Sequence, residues 1–271
     1  MEITWLGTAG FYLDIGNDEG NIIIDPFYPL NPKYYYINDL IQKYADKSKA
    51  VFLSHGHFDH AKSVVDLTTT RDLLVFCSRK IARNLGKHGV AKEKLRIIKE
   101  GKKIEIGSLI VEPLKSEHAR IDLILILRKL WQKRKEIYKI KQMLSYLKDY
   151  PKGDVFSYKI IQRNDSSEKE SYIIHFWGSA GTTKRECKLL ATSKVNSLLL
   201  PLYGNTWVIK RSLKIIKSLN PEIVIPHHTD DTFPPLSEDV NLEPFIQKME
   251  ETFPGVKIVI LKEGVKHILN S

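Results

Sequence analysis

The string His55-Gly56-His57-Phe58-Asp59-His60 narrows what this 271-residue chain can fold into more than any other feature. It follows directly on Ala50-Val51-Phe52-Leu53-Ser54, a continuous apolar run of the kind buried on both faces of a sheet. A loop leaving such a strand can aim His55 and His57 to one side, two residues apart, while Asp59 and His60 fall one turn further on. Imidazole nitrogen and carboxylate oxygen are good ligands for Zn²⁺ and similar ions, and Gly56 allows a tight bend. Three histidines in six residues are hard to motivate as solvated loop polarity. The chain is therefore expected to hold a buried sheet with a metal-binding edge.

The rest of the sequence supplies such a sheet. Residues 2–6, 10–15 and 21–25 read as strands separated by glycine-containing turns. Residues 37–46, 61–68 and 78–88 read as helices around the apolar strands 50–54 and 73–77. Three strands are expected at 95–98, 103–106 and 108–114, and two more at 155–161 and 171–177, with the polar run 163–170 as the hairpin loop between them. Then come a strand at 197–202, a helix at 206–219, a strand at 222–225 ending at Pro226, a helix near 240–252, a strand at 257–261 and a last short strand. Between 121 and 149, Leu123, Leu127, Leu130, Ile137, Leu144 and Leu147 mark one face of a long helix that Pro151-Lys152-Gly153 ends. With no repeat and no linker, the expectation is one domain over 1–271, built of two sheets covered by helices.

Composition limits the function classes. Apolar residues make up 42% and charged residues 27%, which excludes disordered and fibrous readings. No apolar run reaches the length of a membrane span, and the acidic, strand-like start does not read as a signal peptide. Two cysteines, Cys77 and Cys187, make no disulfide framework and read as buried thiols, so a reduced cytoplasmic setting is expected. The net charge of +10 is concentrated. Between residues 128 and 148 eight cations oppose only Glu136. Such a stripe can be a solvated helix face, collect an anionic substrate, or touch an anionic membrane surface. Nucleic acid is the weaker expectation, because the charge lies in one amphipathic segment and not in aromatic–basic strands.

The histidine string, together with Ile3-Thr4-Trp5-Leu6-Gly7-Thr8-Ala9-Gly10-Phe11 and Ile22-Ile23-Ile24-Asp25-Pro26-Phe27, resembles the metallo-β-lactamase superfamily. The likeness runs over nearly the whole chain. It is greatest to the branch that includes ascorbate-6-phosphate-lactonase-like proteins and N-acylphosphatidylethanolamine phospholipase D. The resemblance implies an α/β fold, a four-layer αββα sandwich with its metal site in loops at the sheet edge. It implies that His118, in Ser116-Glu117-His118, joins His55 and His57 at a first ion. It implies that a histidine of Ile225-Pro226-His227-His228 joins Asp59 and His60 at a second. Register favours His228, with His227 as runner-up, and Asp230 or Asp231 can add a carboxylate or orient a histidine. Asp25 matches the family's aspartate that hydrogen-bonds the ligand loop, although an aspartate before Pro26 can also cap a turn. His175, in a strand, reads as core or as support for a ligand.

One departure from the family matters. The superfamily carries a metal-bridging aspartate where this chain has Ser179, in Trp177-Gly178-Ser179-Ala180-Gly181. A neutral hydroxyl supplies neither the charge nor the two oxygens of a bridge. One of two ions is thus expected to bind weakly, or Asp230 or Asp231 to take the serine's place.

The implied activity is hydrolysis by a metal-activated water, with Zn²⁺ first and Mn²⁺ or Fe²⁺ as alternatives. Asp59 would accept the water's proton or orient it. An ester, lactone or phosphodiester of a small anionic or lipid-like molecule is the expected substrate. The alternatives are a degenerate metal-binding member without hydrolase activity, prompted by Ser179, and a nucleic-acid-processing protein. The segment of about 119–150 starts beside His118 and is expected to be a lid. Trp131, Tyr138 and Tyr146 could add substrate contacts or pack the helix, with Pro235 and Leu236 in the opposite wall.

Overall fold

A computed structural model describes residues 1–16, 20–119, 128, 131, 138–163, 172–181, 183–192, 194–204 and 206–269. The first sheet contains β1 (Glu2–Trp5), β2 (Phe11–Asp14), β3 (Ile22–Ile24), β4 (Ala50–Phe52), β5 (Leu74–Cys77), β6 (Leu95–Ile97) and β14 (Lys266–Ile268), in the order β14-β1-β2-β3-β4-β5-β6. The second contains β7 (Ile104–Ile106), β8 (Leu109–Ser116), β9 (Val155–Gln162), β10 (Tyr172–Phe176), β11 (Ser197–Pro201), β12 (Ile223–His227) and β13 (Lys257–Ile258), in the order β13-β12-β11-β10-β9-β8-β7. Strands β3 to β6 run parallel in the first sheet, as do β10 to β13 in the second.

The period-two alternation of strand side chains builds the layers. Ile22, Ile24, Ala50 and Phe52 enter a core between the sheets, where they meet Val111, Tyr158, Ile174 and Leu199. The intervening Ile23, Val51 and Leu53 face the other way, under α1 (Tyr36–Ala45), α2 (Phe58–Thr70) and α3 (Arg79–Lys87). On the far face of the second sheet, Leu198, Leu200 and Val224 pack with α5 (Lys184–Ala191), α6 (Val208–Leu219) and α7 (Glu243–Thr252). The result is an αββα sandwich. Full burial of each large apolar side chain in these layers contributes roughly 1.5–3 kcal/mol.

Several elements differ from the sequence reading. Helix α2 begins at Phe58, three residues earlier than expected, so Asp59 and His60 lie in its first turn. There Asp59 faces the positive end of the helix dipole. Strand β12 runs through Pro226 to His227, because parallel pairing to Leu200 and Pro201 continues past the proline. Helix α5 was not expected from the apolar pattern. It starts from a reciprocal cap between Thr183 and Glu186. Cys187 is half-buried, not buried like Cys77. Of the long helix expected at 121–149, α4 (Tyr138–Asp149) is described. Leu123, Leu127, Leu130, Ile137 and the side chain of Tyr138 lie outside the described residues. The segment that carries α4 leaves and re-enters a hairpin, since Ser116 of β8 is paired with Val155 of β9.

His175 sits on the helix-covered face of β10 with both ring nitrogens buried and without a hydrogen-bond partner. Burial, aided by Lys159, pushes its pKa from 6.5 down to about 3. The unfolded chain therefore takes up a proton below about pH 6.5 that the fold refuses, and stability is lost as pH falls from there towards 3. Between pH 7 and pH 5 the wild type is expected to lose about 2 kcal/mol more than His175→Phe in urea unfolding. Equal losses would show that His175 is not a source of the acid sensitivity.

Candidate metal centre

The chemistry-bearing residues lie where strands end on one edge of the sandwich. Asp25 follows β3, Ser54 and His55 follow β4, His118 follows β8, Ser179 follows β10 and His228 follows β12. Antiparallel β9 lies between β8 and β10, so these two point the same way and both deliver their loops to that edge. Carboxyl ends of strands are the usual place for sites in α/β sheets.

Two sets of donors form there. Ligand atoms of His55, His57 and His118 lie within 4.8 Å of one another, as do those of Asp59, His60 and His228. The His55 ring is 4.9 Å from His57, 4.9 Å from His118 and 3.9 Å from His60, centre to centre. Asp59 Oδ2 is 3.4 Å from His60 Nε2 and 3.4 Å from His228 Nε2. The backbone is shaped to this end. His228 has a left-handed φ of 58° and donates its N–H to the carbonyl of Thr8 at 2.7 Å. The Tyr203 ring stacks on its imidazole. A Cβ on Gly178 would meet Ser54 Oγ at 2.1 Å, so only glycine lets β10 approach the ligand loop.

Asp25, fully buried, organises the loop. Its Oδ1 accepts the backbone N–H of Ser54 at 2.7 Å, and its Oδ2 lies 2.8 Å from His60 Nδ1 and also accepts the Ser54 hydroxyl. Ser54 Oγ lies 3.0 Å from His55 Nδ1, so one carboxylate steers a histidine of each set. The sequence reading missed Ser54, although its position immediately before His55 was the available signal.

Electrostatics suit a cation. Burial, reinforced by the neighbouring histidines, holds His55 well below its ordinary pKa. Burial also takes His57 down to about 4 and lowers His118. These imidazoles are neutral at pH 7, with lone pairs to offer. His60 is the exception. Burial opposes its charge, but Asp59 and Asp25 outweigh burial and push it up to about 10. Burial would raise Asp59, yet His60 and His228 hold it well below the carboxylate range. The second set thus retains a proton as its positive charge, which a divalent ion would displace. Nδ1 of His228 is buried without a hydrogen-bond partner. Nitrogen and carboxylate donors of this kind fit Zn²⁺, Mn²⁺ or Fe²⁺.

Other sequence candidates go elsewhere. His227 is fully buried between the rings of Phe11 and Phe176, its Nε2 3.0 Å from the Trp177 carbonyl, and belongs to none of the donor groups among the described residues. Asp230 and Asp231 fall in none of the donor groups among the described residues: Asp230 Oδ2 accepts the Thr8 N–H at 2.7 Å, and Asp231 Oδ1 accepts the Ser237 hydroxyl at 2.7 Å. Ser179 lies at the site, but its Oγ accepts the Ala119 N–H at 2.9 Å, while the Ala119 carbonyl sits 2.7 Å from His118 Nδ1. The serine therefore anchors the His118 loop. Behind that loop the buried Glu186 accepts hydroxyls from Ser116 and Ser157, and Ser116 in turn accepts Trp177 Nε1 at 3.1 Å. Glu186 had a readable sign in Thr183-x-x-Glu186, the capping-box spacing.

The donors form one end of a cavity of about 360 Å³. Ile140, Leu144 and Leu147 of α4 line it, with Phe58, Tyr203, Phe233, Pro235 and Leu236. Trp131 is 72% exposed and absent from the lining, whereas Tyr146 packs on Phe58.

An αββα sandwich with a three-histidine donor set beside a histidine–carboxylate set at its strand ends is the construction of a metal-dependent hydrolase of metallo-β-lactamase type. The family model described as beta-lactamase superfamily domain matches residues 2–228, and the chain belongs to that family. A UPF0173 metal-dependent hydrolase from Methanocaldococcus jannaschii is 29% identical over 264 residues, covering 97% of each chain. A second, from Archaeoglobus fulgidus, is 23% identical over 272 residues and covers 100% of both. Among solved structures, the metallo hydrolase Igni18 from Ignicoccus hospitalis has a TM-score of 0.65 at 17% identity over 99% of both chains. An isothiocyanate hydrolase from Delia radicum gut bacteria has a TM-score of 0.63 at 16% identity over 99% of both. These structural likenesses bear on the fold. Among the described residues no helix is long and apolar enough to cross a membrane.

Proposed function

We propose that the protein hydrolyses an ester, lactone or phosphodiester with a divalent ion, zinc first, held by His55, His57 and His118 and, more weakly, by Asp59, His60 and His228. The observation that carries this reading is the meeting of the two donor sets at the polar end of one cavity. An ion bound there supplies a nucleophile at neutral pH and polarises the oxygen that gains charge. The chain's own residues do the rest. Asp59 lies between His60 and His228 and stays ionised, so its Oδ2 suits accepting a hydrogen bond from the attacking water and orienting it. Asp25 and Ser54 fix the faces that His60 and His55 present. Phe58 and Phe233 give the cavity an apolar lining next to the donors. The motif residues also support the ascorbate-6-phosphate-lactonase-like branch as the nearest functional setting.

The test is metal per chain by elemental analysis, paired with turnover of 4-nitrophenyl esters, lactones and bis(4-nitrophenyl) phosphate. Chelation is expected to abolish turnover and zinc, manganese or iron(II) to restore it. Wild type should hold about one ion firmly, and Ser179→Asp should move the ratio towards two by restoring a bridging carboxylate. No ion after reconstitution would overturn the reading. Ion retained with no turnover across the panel would favour a non-hydrolytic member.

A further inference from the structure

We infer that the cavity beside the histidines is an acyl-chain subsite, so that the substrate is a carbonyl ester or lactone bearing an unbranched apolar chain. The inference rests on the hydrolase reading and adds the substrate's class to it. One end of the cavity is made of histidines and Asp59, and the walls leading from it are aliphatic and aromatic. Ile140, Leu144 and Leu147 stand at i, i+4 and i+7 on α4, the spacing of one helix face. Phe58, Phe233 and Leu236 add to the same apolar lining.

The roof is fixed as well as apolar. Met143 and Tyr150 are buried with the α1–α3 layer, and Tyr146 lies 5.5 Å from Phe58, ring to ring. Helix α4 is thus docked on α2, the helix whose first turn carries Asp59 and His60, so the apolar face and the donors keep one spacing. Leu144 is 60% exposed although it lines the cavity, which puts it at the mouth. The cations of α4 stay out of this space. Lys139 is half-buried, Lys141 and Lys148 are exposed, and no lysine or arginine lines the cavity among the described residues. Among the described residues, charged and ring-nitrogen partners for a compact anion are confined to the donor end, whereas a chain of methylenes attached to a carbonyl would be matched by the apolar lining.

The experiment has two arms on the full-length protein. In the first, kcat/KM is measured for 4-nitrophenyl acetate, butyrate, hexanoate and octanoate with the metal-loaded enzyme. It is expected to climb by up to about fourfold for each added methylene that becomes buried. In Leu144→Asp the octanoate-to-acetate ratio is expected to fall at least tenfold. In the second, calorimetry follows binding of butanoate, hexanoate and octanoate to the protein as purified. Affinity should rise with length in wild type and be flattened in Leu144→Asp. Rising affinity with no ester turned over would leave the subsite standing and defeat ester hydrolysis. Turnover and affinity both independent of chain length would overturn the subsite while leaving the hydrolase reading intact. An unchanged octanoate-to-acetate ratio and unchanged alkanoate affinities in Leu144→Asp would overturn the placement on α4.

Discussion

His118→Ala is expected to reduce kcat/KM by on the order of 10³-fold and to strip most of the metal retained through dialysis. His118 is the member of the first donor set that comes from the second sheet. Without it, His55 and His57 remain as two neutral imidazoles on one loop, which is short of the three protein ligands usual for a catalytic ion. Its ring is half-buried, and its Nδ1 contact to the Ala119 carbonyl is local. The substitution should therefore cost the metal-free protein only about 1 kcal/mol in urea unfolding, the centre of the range for single substitutions. A variant that kept both its ion and its turnover would remove His118 from the site.

Asp25→Asn should weaken ion binding by roughly 10–100-fold through an imidazole tautomer. The carboxylate accepts Nδ1–H of His60, which leaves Nε2 as the atom turned towards Asp59 and the site. An amide that keeps its oxygen on the Ser54 N–H turns its NH₂ group towards Nδ1. His60 must then accept at Nδ1 and carry its proton on Nε2, where a lone pair is needed. Competition against a chromogenic chelator would read the affinity. Imidazole nitrogen shifts in NMR would read the tautomer and separate this effect from general loosening. Wild-type affinity together with an unmoved His60 tautomer would show that Asp25 only ties the turn.

The fold was legible where side-chain period and burial coincide. Ile22 to Ile24 and Ala50 to Leu53 are apolar at every position because both faces of these strands are covered, and no other element explains such runs. The spacing of His55, His57, Asp59 and His60 was equally plain, since one short stretch of chain carries all four. Elements held by polar contacts were not legible. Helix α5 buries few side chains, Glu186 and Leu190 among them, and its cap lies in a Thr–Glu pair rather than in a hydrophobic stripe. The choice between His227 and His228 is made by a left-handed backbone turn, which places one ring between Phe11 and Phe176 and the other beside Asp59. Asp230 and Asp231 looked like spare carboxylates because the Thr8 amide and the Ser237 hydroxyl that they meet are 222 and 6 residues away, and neither contact has a sequence signature.

The pairing of Ser116 with Val155 has a consequence for how such a protein can change over time. Everything between these residues hangs from two adjacent strands that would close with a far shorter connection. The cost of closing a loop grows only with the logarithm of its length, so this excursion can be lengthened, shortened or replaced with little effect on the sheets. It opens with the ligand His118 and brings back the helix that roofs the cavity. Selection can therefore exchange what the protein accepts by rewriting the part of this cassette beyond His118, while the donors after β4, on α2 and after β12 are inherited unchanged.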